Sequence, residues 1–137
     1  MICLDTNAVI AVLNSRTSPV RTRMVTALNQ RLALSISSIV LFELRYGAAK
    51  SAHPERSVQR IADFLAGNIT VLPFEPADAE EAGDIRAALE RAGAPIGPYD
   101  LLIAAQARRR AALLVTANAR EFTRIPGLLT EDWAVPE

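Results

Sequence analysis

Cysteine and histidine are almost missing from this chain: its 137 residues hold one of each, Cys3 and His53. A single cysteine excludes a disulfide framework and any multi-cysteine zinc site. A single histidine excludes metal motifs built on His pairs. Lysine is nearly absent as well, since Lys50 is the one lysine among fifteen basic residues. No apolar run approaches the ~20 residues that a membrane span requires. The start, Met1-Ile2-Cys3-Leu4-Asp5, lacks the basic n-region of a secretory leader. Repeats, low-complexity stretches and long linkers are absent too. The expectation is a soluble, cytoplasmic protein with no membrane partner, folded as one domain over residues 1–137.

Half of the residues are hydrophobic and 22% are charged, enough apolar material to bury roughly two thirds of the unfolded surface at this length. The formal net charge is zero, so there is no global pull toward nucleic acid. The charge is unevenly spread, however. Residues 1–60 carry eight basic against three acidic side chains, and residues 61–100 carry two against eight.

Short apolar runs alternate with amphipathic stretches. Strands are expected at Ile2–Asp5, Leu32–Ser35, Ile69–Phe74 and Leu113–Thr116. Helices are expected at Asn7–Leu13, from Pro19 to about Arg31, from Ser37-Ser38 to about Ser51, and from Pro54 to Gly67-Asn68. Further helices follow at Pro76–Arg91, from Gly97-Pro98 to about Arg110, and near Arg120–Arg124. Such alternation implies an α/β domain around a mostly parallel sheet.

Several polar residues fall in places where a purely structural role leaves something unexplained. Asp5 ends the first strand, and ligands of open parallel sheets bind beyond the carboxyl ends of strands; it could equally cap the next helix. Glu43 has Ile39, Val40, Tyr46 and Gly47 as helical neighbours, so it is either desolvated at a cost or coordinates something. Asp100 lies in the first turn of its helix, where the macrodipole favours an acid, but Ile96, Ile103 and Ala104 surround it. Asn118 and Glu121 have the spacing of a capping box, and Asn118 could instead hold a water or a phosphate oxygen. Three acids without a His or Cys cluster describe a hard-cation site for Mg²⁺ or Mn²⁺. Such a site suits phosphodiester hydrolysis.

Four segments in order carry a family resemblance. They are Leu4-Asp5-Thr6-Asn7; Ser37-Ser38-Ile39 through Phe42-Glu43-Leu44-Arg45-Tyr46-Gly47; Ile96-Gly97-Pro98-Tyr99-Asp100-Leu101; and Val115-Thr116-Ala117-Asn118 with Arg120-Glu121-Phe122 and Glu131-Asp132-Trp133. With these the chain resembles the PIN-domain ribonucleases of the VapC toxin type. The resemblance implies a three-layer α/β/α sandwich with a parallel sheet of four or five strands. It implies a Mg²⁺-dependent endoribonuclease, often acting on tRNA, in which Mn²⁺ can replace Mg²⁺. Asp5 and Asp100 match the direct metal ligands, Glu43 completes the anionic pocket, and Asn118 falls at the fourth catalytic position. It further implies a homodimer silenced by a cognate VapB-type antitoxin, with operator DNA bound only through that antitoxin.

Two departures from the family pattern stand out. Tyr99 replaces a frequent Asn beside Asp100, which bears on substrate fit. Asn118 replaces an acid found in some relatives, which leaves a second metal in doubt unless Glu121 substitutes. Asn118 also keeps open an alternative, a catalytically inactive PIN domain that binds protein or RNA. A phospho-receiver domain would need paired acids after the first strand and a Lys after the last, and a haloacid-type phosphatase would need Asp-x-Asp where this chain has Asp5-Thr6-Asn7. Arg16, Arg21 and Arg23 are candidates to border a cleft or the antitoxin surface. Arg108-Arg109-Arg110 are expected to complement a helix dipole and stay solvated.

Overall fold

Apolar residues concentrate in short strands because those strands form the middle of a sheet covered by helices. The computed structural model describes residues 1–135. Five strands, β1 (Ile2–Leu4), β2 (Leu34–Ser37), β3 (Ile69–Leu72), β4 (Leu113–Val115) and β5 (Leu129–Glu131), form one sheet in the order β3-β2-β1-β4-β5. Every neighbouring pair is parallel, with Cys3 opposite Ser35 on one side and Leu114 on the other. The three-layer reading therefore holds with five strands.

Parallel strands need crossover connections, here helical. Helices α1 (Thr6–Asn14) and α2 (Pro19–Asn29) join β1 to β2, and α3 (Ser38–Ala49) with α4 (Pro54–Ala66) join β2 to β3. The chain then returns through α5 (Pro76–Arg91) and α6 (Pro98–Arg109) to β4 on the far side of β1, and α7 (Ala119–Phe122) leads to β5. The order thus reverses between β1 and β4. This is the topological switch point, where the loops beyond the strand ends diverge and leave a crevice.

Burial follows position in the sheet. Central β1 and β2 are buried at every residue: β1 is an unbroken apolar run, whereas β2 alternates Leu34 and Ile36 with the buried Ser35 and Ser37. Edge strand β3 is buried only at its two ends, Ile69 and Leu72, and β5 has no fully buried residue. Leu4, Ile36, Leu114, Val9, Val40 and Ile103 form the solvent-free centre of the core.

The second strand begins two residues later than its pattern suggested. Helix α2 ends with Arg31 at φ 60°, where Arg31 N donates to Leu28 O and Leu32 N to Ala27 O. This closing turn consumes the residues before β2 and leaves Leu32 exposed. Helices α5 and α6 end in the same way, at Gly93 (φ 68°) and Ala111 (φ 52°).

Candidate active site

Asp5 is the last residue before α1, and its position does two things. Its Oδ1 accepts the Ala8 N–H at 2.8 Å, capping α1. Its own N–H donates to Val115 O at 3.0 Å, tying the cap to the end of β4. Cap and site residue are therefore the same residue. The carboxyl is only 4% exposed. Burial pushes its pKa up, hydrogen bonds from Thr116 and the Ala8 amide pull it back, and the charges of Glu43 and Asp132 push it up again.

The second acid comes from α3, whose N-terminus follows directly from β2. Ser37 caps that helix by accepting the Ile39 N–H, and Ser38 Oγ accepts the Phe74 N–H at 3.1 Å. Glu43 is half-buried on this helix, and Thr6 Oγ1 donates to its Oε1 at 2.7 Å. The residue after Asp5 thus orients the carboxylate contributed by α3.

Asp100 lies in the first turn of α6, which opens at the cap residue Gly97 and Pro98. It is half-buried, and its pKa is raised from 3.8 to about 6 by burial first, then by the charges of Glu121, Asp5 and Glu43. Four acids from four segments therefore act on one another here. The neighbouring negative charges oppose ionisation of Asp5 and Asp100, and a bound cation would remove that penalty.

Asn118 and Glu121 do not form the capping box their spacing suggested. Asn118 occupies the cap position of α7 without a side-chain cap bond, and its Nδ2 donates instead to Glu121 Oε2. Glu121 Oε1 accepts from Gly97 N at 3.4 Å. Glu121 thus links α7 to the start of α6 and faces Asp100. Asn118 N donates to the hydroxyl of Thr116 at 2.9 Å, and that hydroxyl donates to Asp5. Thr116 is fully buried, and its N–H donates to Glu131 O.

Sequence reasoning missed Thr6, Thr116 and Asp132 as supporting residues. Thr6 and Thr116 lie beside recognisable strand ends, whereas Asp132 follows β5, a strand that had no apolar run to mark it.

The arginine candidates go elsewhere. Arg21 donates to Val12 O and Ser15 O, and Arg23 pairs with Glu131 and stacks over Trp133. Arg108, Arg109 and Arg110 are not simply solvated: they face the acids of α5 and its cap, with Arg108 on Glu81 and Arg109 on Asp78 and Glu75. Arg16 remains exposed on the rim of a groove of about 690 Å³ between α1, α2 and α4, which Met24, Leu28, Phe64 and Arg60 also line.

The donor set suits one kind of cation. All available side-chain donors are oxygens, which favours Mg²⁺ or Mn²⁺ over softer metals. Among the described residues no group of three or more His, Cys, Asp or Glu side chains could enclose a metal ion. Such an ion is held directly by one or two carboxylates, with water filling the remaining positions.

Comparison with known proteins identifies the family to which this fold belongs. Residues 2–128 match the PIN domain family. The chain is 47% identical over 131 residues to the tRNA(fMet)-specific endonuclease VapC of Shigella flexneri, covering 96% of each chain. It is 43% identical over 131 residues to ribonuclease VapC2 of Haemophilus influenzae, covering 95% of this chain and 96% of that one. Among solved structures, VapBC2 of Rickettsia felis bound to a promoter DNA fragment superposes with a TM-score of 0.90 at 36% identity, covering 97% of this chain and 99% of that one. Matches of this extent make the chain a member of the PIN domain family and, within it, of the VapC group.

Proposed function

We propose that the protein is the toxin of a type II toxin–antitoxin pair and an Mg²⁺-dependent endoribonuclease. Its substrate is RNA, above all tRNA, cut to 5′-phosphate and 3′-hydroxyl ends. The observation that carries this reading is the convergence of Asp5, Glu43 and Asp100 at the switch point of the sheet, with Asp5 and Asp100 electrostatically strained. The ribonuclease and tRNA(fMet)-specific endonuclease names of relatives at 43% and 47% identity support it.

Asp5 and Asp100 would hold the cation, with Mn²⁺ able to replace Mg²⁺. When bound, the ion supplies Lewis-acid stabilisation of the charge that grows on the phosphoryl oxygens and lowers the pKa of water. Glu43, fixed by Thr6, orients the attacking water and completes the anionic pocket. Asn118 offers an amide to a phosphate oxygen once it leaves Glu121. Attack by water in line with the leaving 3′-oxygen needs no 2′-hydroxyl as nucleophile.

The partner is a VapB-type antitoxin, and operator DNA is contacted only through it; the similarity to the VapBC complexes of Rickettsia felis and Salmonella typhimurium, both solved with DNA, supports an assembly with an antitoxin. The groove between α1, α2 and α4 is the place for an antitoxin helix, because Met24, Leu28 and Phe64 line it while Arg16 and Arg60 border it. A homodimer in the cytoplasm completes the reading. Among the described residues no helix is long and apolar enough to cross a membrane.

The test is to incubate purified, antitoxin-free protein with total tRNA in Mg²⁺ and in EDTA, beside Asp5→Asn, and to map the fragment ends. Discrete Mg²⁺-dependent cuts that vanish in the variant are expected. Cleavage by Asp5→Asn at the wild-type rate would refute the site. Folded wild type that cuts no tRNA, rRNA or mRNA with either metal would leave the binding-domain reading.

A further inference from the structure

The chain has only seven aromatic residues, and they divide sharply by exposure. Phe64, Phe122 and Trp133 are buried and Phe74 is half-buried. The other three, Phe42, Tyr46 and Tyr99, are 49%, 60% and 47% exposed. All three adjoin the candidate site. Phe42 immediately precedes Glu43 on α3, and Tyr99 immediately precedes Asp100 on α6. The Phe42 and Tyr99 rings meet edge to face, with centroids 5.4 Å apart and planes at 61°. This contact bridges the two helices that present the two carboxylates. Tyr46 lies one helical turn beyond Phe42, and Lys50, the single lysine, lies over the Tyr46 ring at 4.6 Å.

Phe42, Tyr46 and Lys50 therefore run along one side of α3 and its end, with the Tyr99 ring of α6 against Phe42 beside the acids. The track spans about 12 Å from Phe42 to Lys50 at 1.5 Å per residue. Single-stranded nucleic acid is held by this combination, aromatic faces for bases and cations for phosphates. An interface with a second copy of the chain fits less well. Three rings of 150–250 Å² each, about half open, offer roughly 300 Å², against about 800 Å² per partner in a stable complex. Arg45, Lys50 and Glu43 also border the rings with charge.

On the ribonuclease reading above, we propose that a nucleobase beside the scissile phosphate stacks on the Phe42–Tyr99 pair, with Tyr46 and Lys50 extending the track to the next nucleotide. The rings then fix where the chain is cut, because a base held on the lip sets which phosphate reaches Asp5 and Asp100. Tyr99, which departs from a frequent Asn, becomes a substrate-positioning residue.

Short single-stranded RNA oligonucleotides carrying 2-aminopurine at successive positions, with and without Ca²⁺ in place of Mg²⁺, report stacking by fluorescence quenching. Wild type is expected to quench the probe at one or two positions. Phe42→Leu and Tyr99→Leu keep the rings' apolar packing but remove the stacking faces. Each is expected to weaken binding about tenfold or more, to abolish the quenching, and to raise KM on tRNA far more than it lowers kcat. Phe42→Trp and Tyr99→Trp are expected to restore both. Equal quenching in wild type and both leucine variants, or no quenching by wild type at all, overturns the platform. So does a loss of activity that tracks a change in sedimentation, which would assign the rings to contact between copies. Wild type that quenches but cuts no RNA refutes the ribonuclease reading and leaves the platform standing.

Discussion

Replacing Asp100 by Asn is expected to make the metal-free protein more stable while ending its cleavage of RNA. The magnitude follows from the shift of the Asp100 pKa from 3.8 to about 6, caused by burial and by Glu121, Asp5 and Glu43. At about 1.4 kcal/mol per pH unit the ceiling is about 3 kcal/mol. The side chain is half-buried, and solvent screening reduces the expected gain to about 1–2 kcal/mol. For a domain of this size that is a rise in Tm of roughly 3–6 °C. The sign with pH is equally specific. An acid whose pKa is higher in the folded state destabilises that state when ionised, so the penalty is fully present above about pH 6. It is relieved as pH falls from about 6 toward 3.8. Thermal melts in EDTA from pH 7.5 to about pH 4 should therefore show the variant ahead at neutral pH and the two proteins converging on acidification. A variant less stable than wild type at pH 7.5, or a gap that widens as pH falls, would refute the electrostatic account.

Added Mg²⁺ is expected to raise the Tm of wild type progressively with concentration and to leave Asp5→Asn and Asp100→Asn unmoved, as calorimetry or dye-based melting can check. Asp5→Asn keeps a good helix cap and should fold normally, whereas Asp5→Ala loses the bond to the Ala8 amide and should cost about 1 kcal/mol in urea denaturation. Thr6→Val removes the hydroxyl that holds Glu43; kcat should fall about tenfold with KM little changed, a loss of about 1.4 kcal/mol in transition-state stabilisation. Ala111→Gly relieves a left-handed conformation at an exposed helix end, and should add about 0.5–1 kcal/mol to stability by the same denaturation measurement.

How much of this was legible in the sequence depended on burial. Central strands β1 and β4 announce themselves because burial on both faces demands apolar residues without interruption, whereas the pattern misplaced β2, whose Leu34 and Ile36 alternate with buried serines, by two residues. The strand Leu129–Glu131 carries no such demand: Leu129 is 58% exposed, and its role is to supply backbone partners to β4. The acids Asp5, Glu43 and Asp100 were visible because a carboxylate among apolar neighbours needs a reason. Their spatial convergence was not readable from spacing, since it depends on a strand order that reverses between β1 and β4. Asn118 and Glu121 misled for a related reason. Their three-residue spacing is that of a cap, yet Gly97 and Asp100, distant in sequence, face Glu121 in space.

The Thr116 link ties an edge strand to the candidate site. Glu131 O accepts the Thr116 N–H, and the Thr116 hydroxyl in turn donates to Asp5. Asp132 follows that strand and still acts on Asp5. Strand β5 has no fully buried residue and pairs only with β4, so fraying of this exposed edge would reach Asp5 through two hydrogen bonds without first disturbing the core.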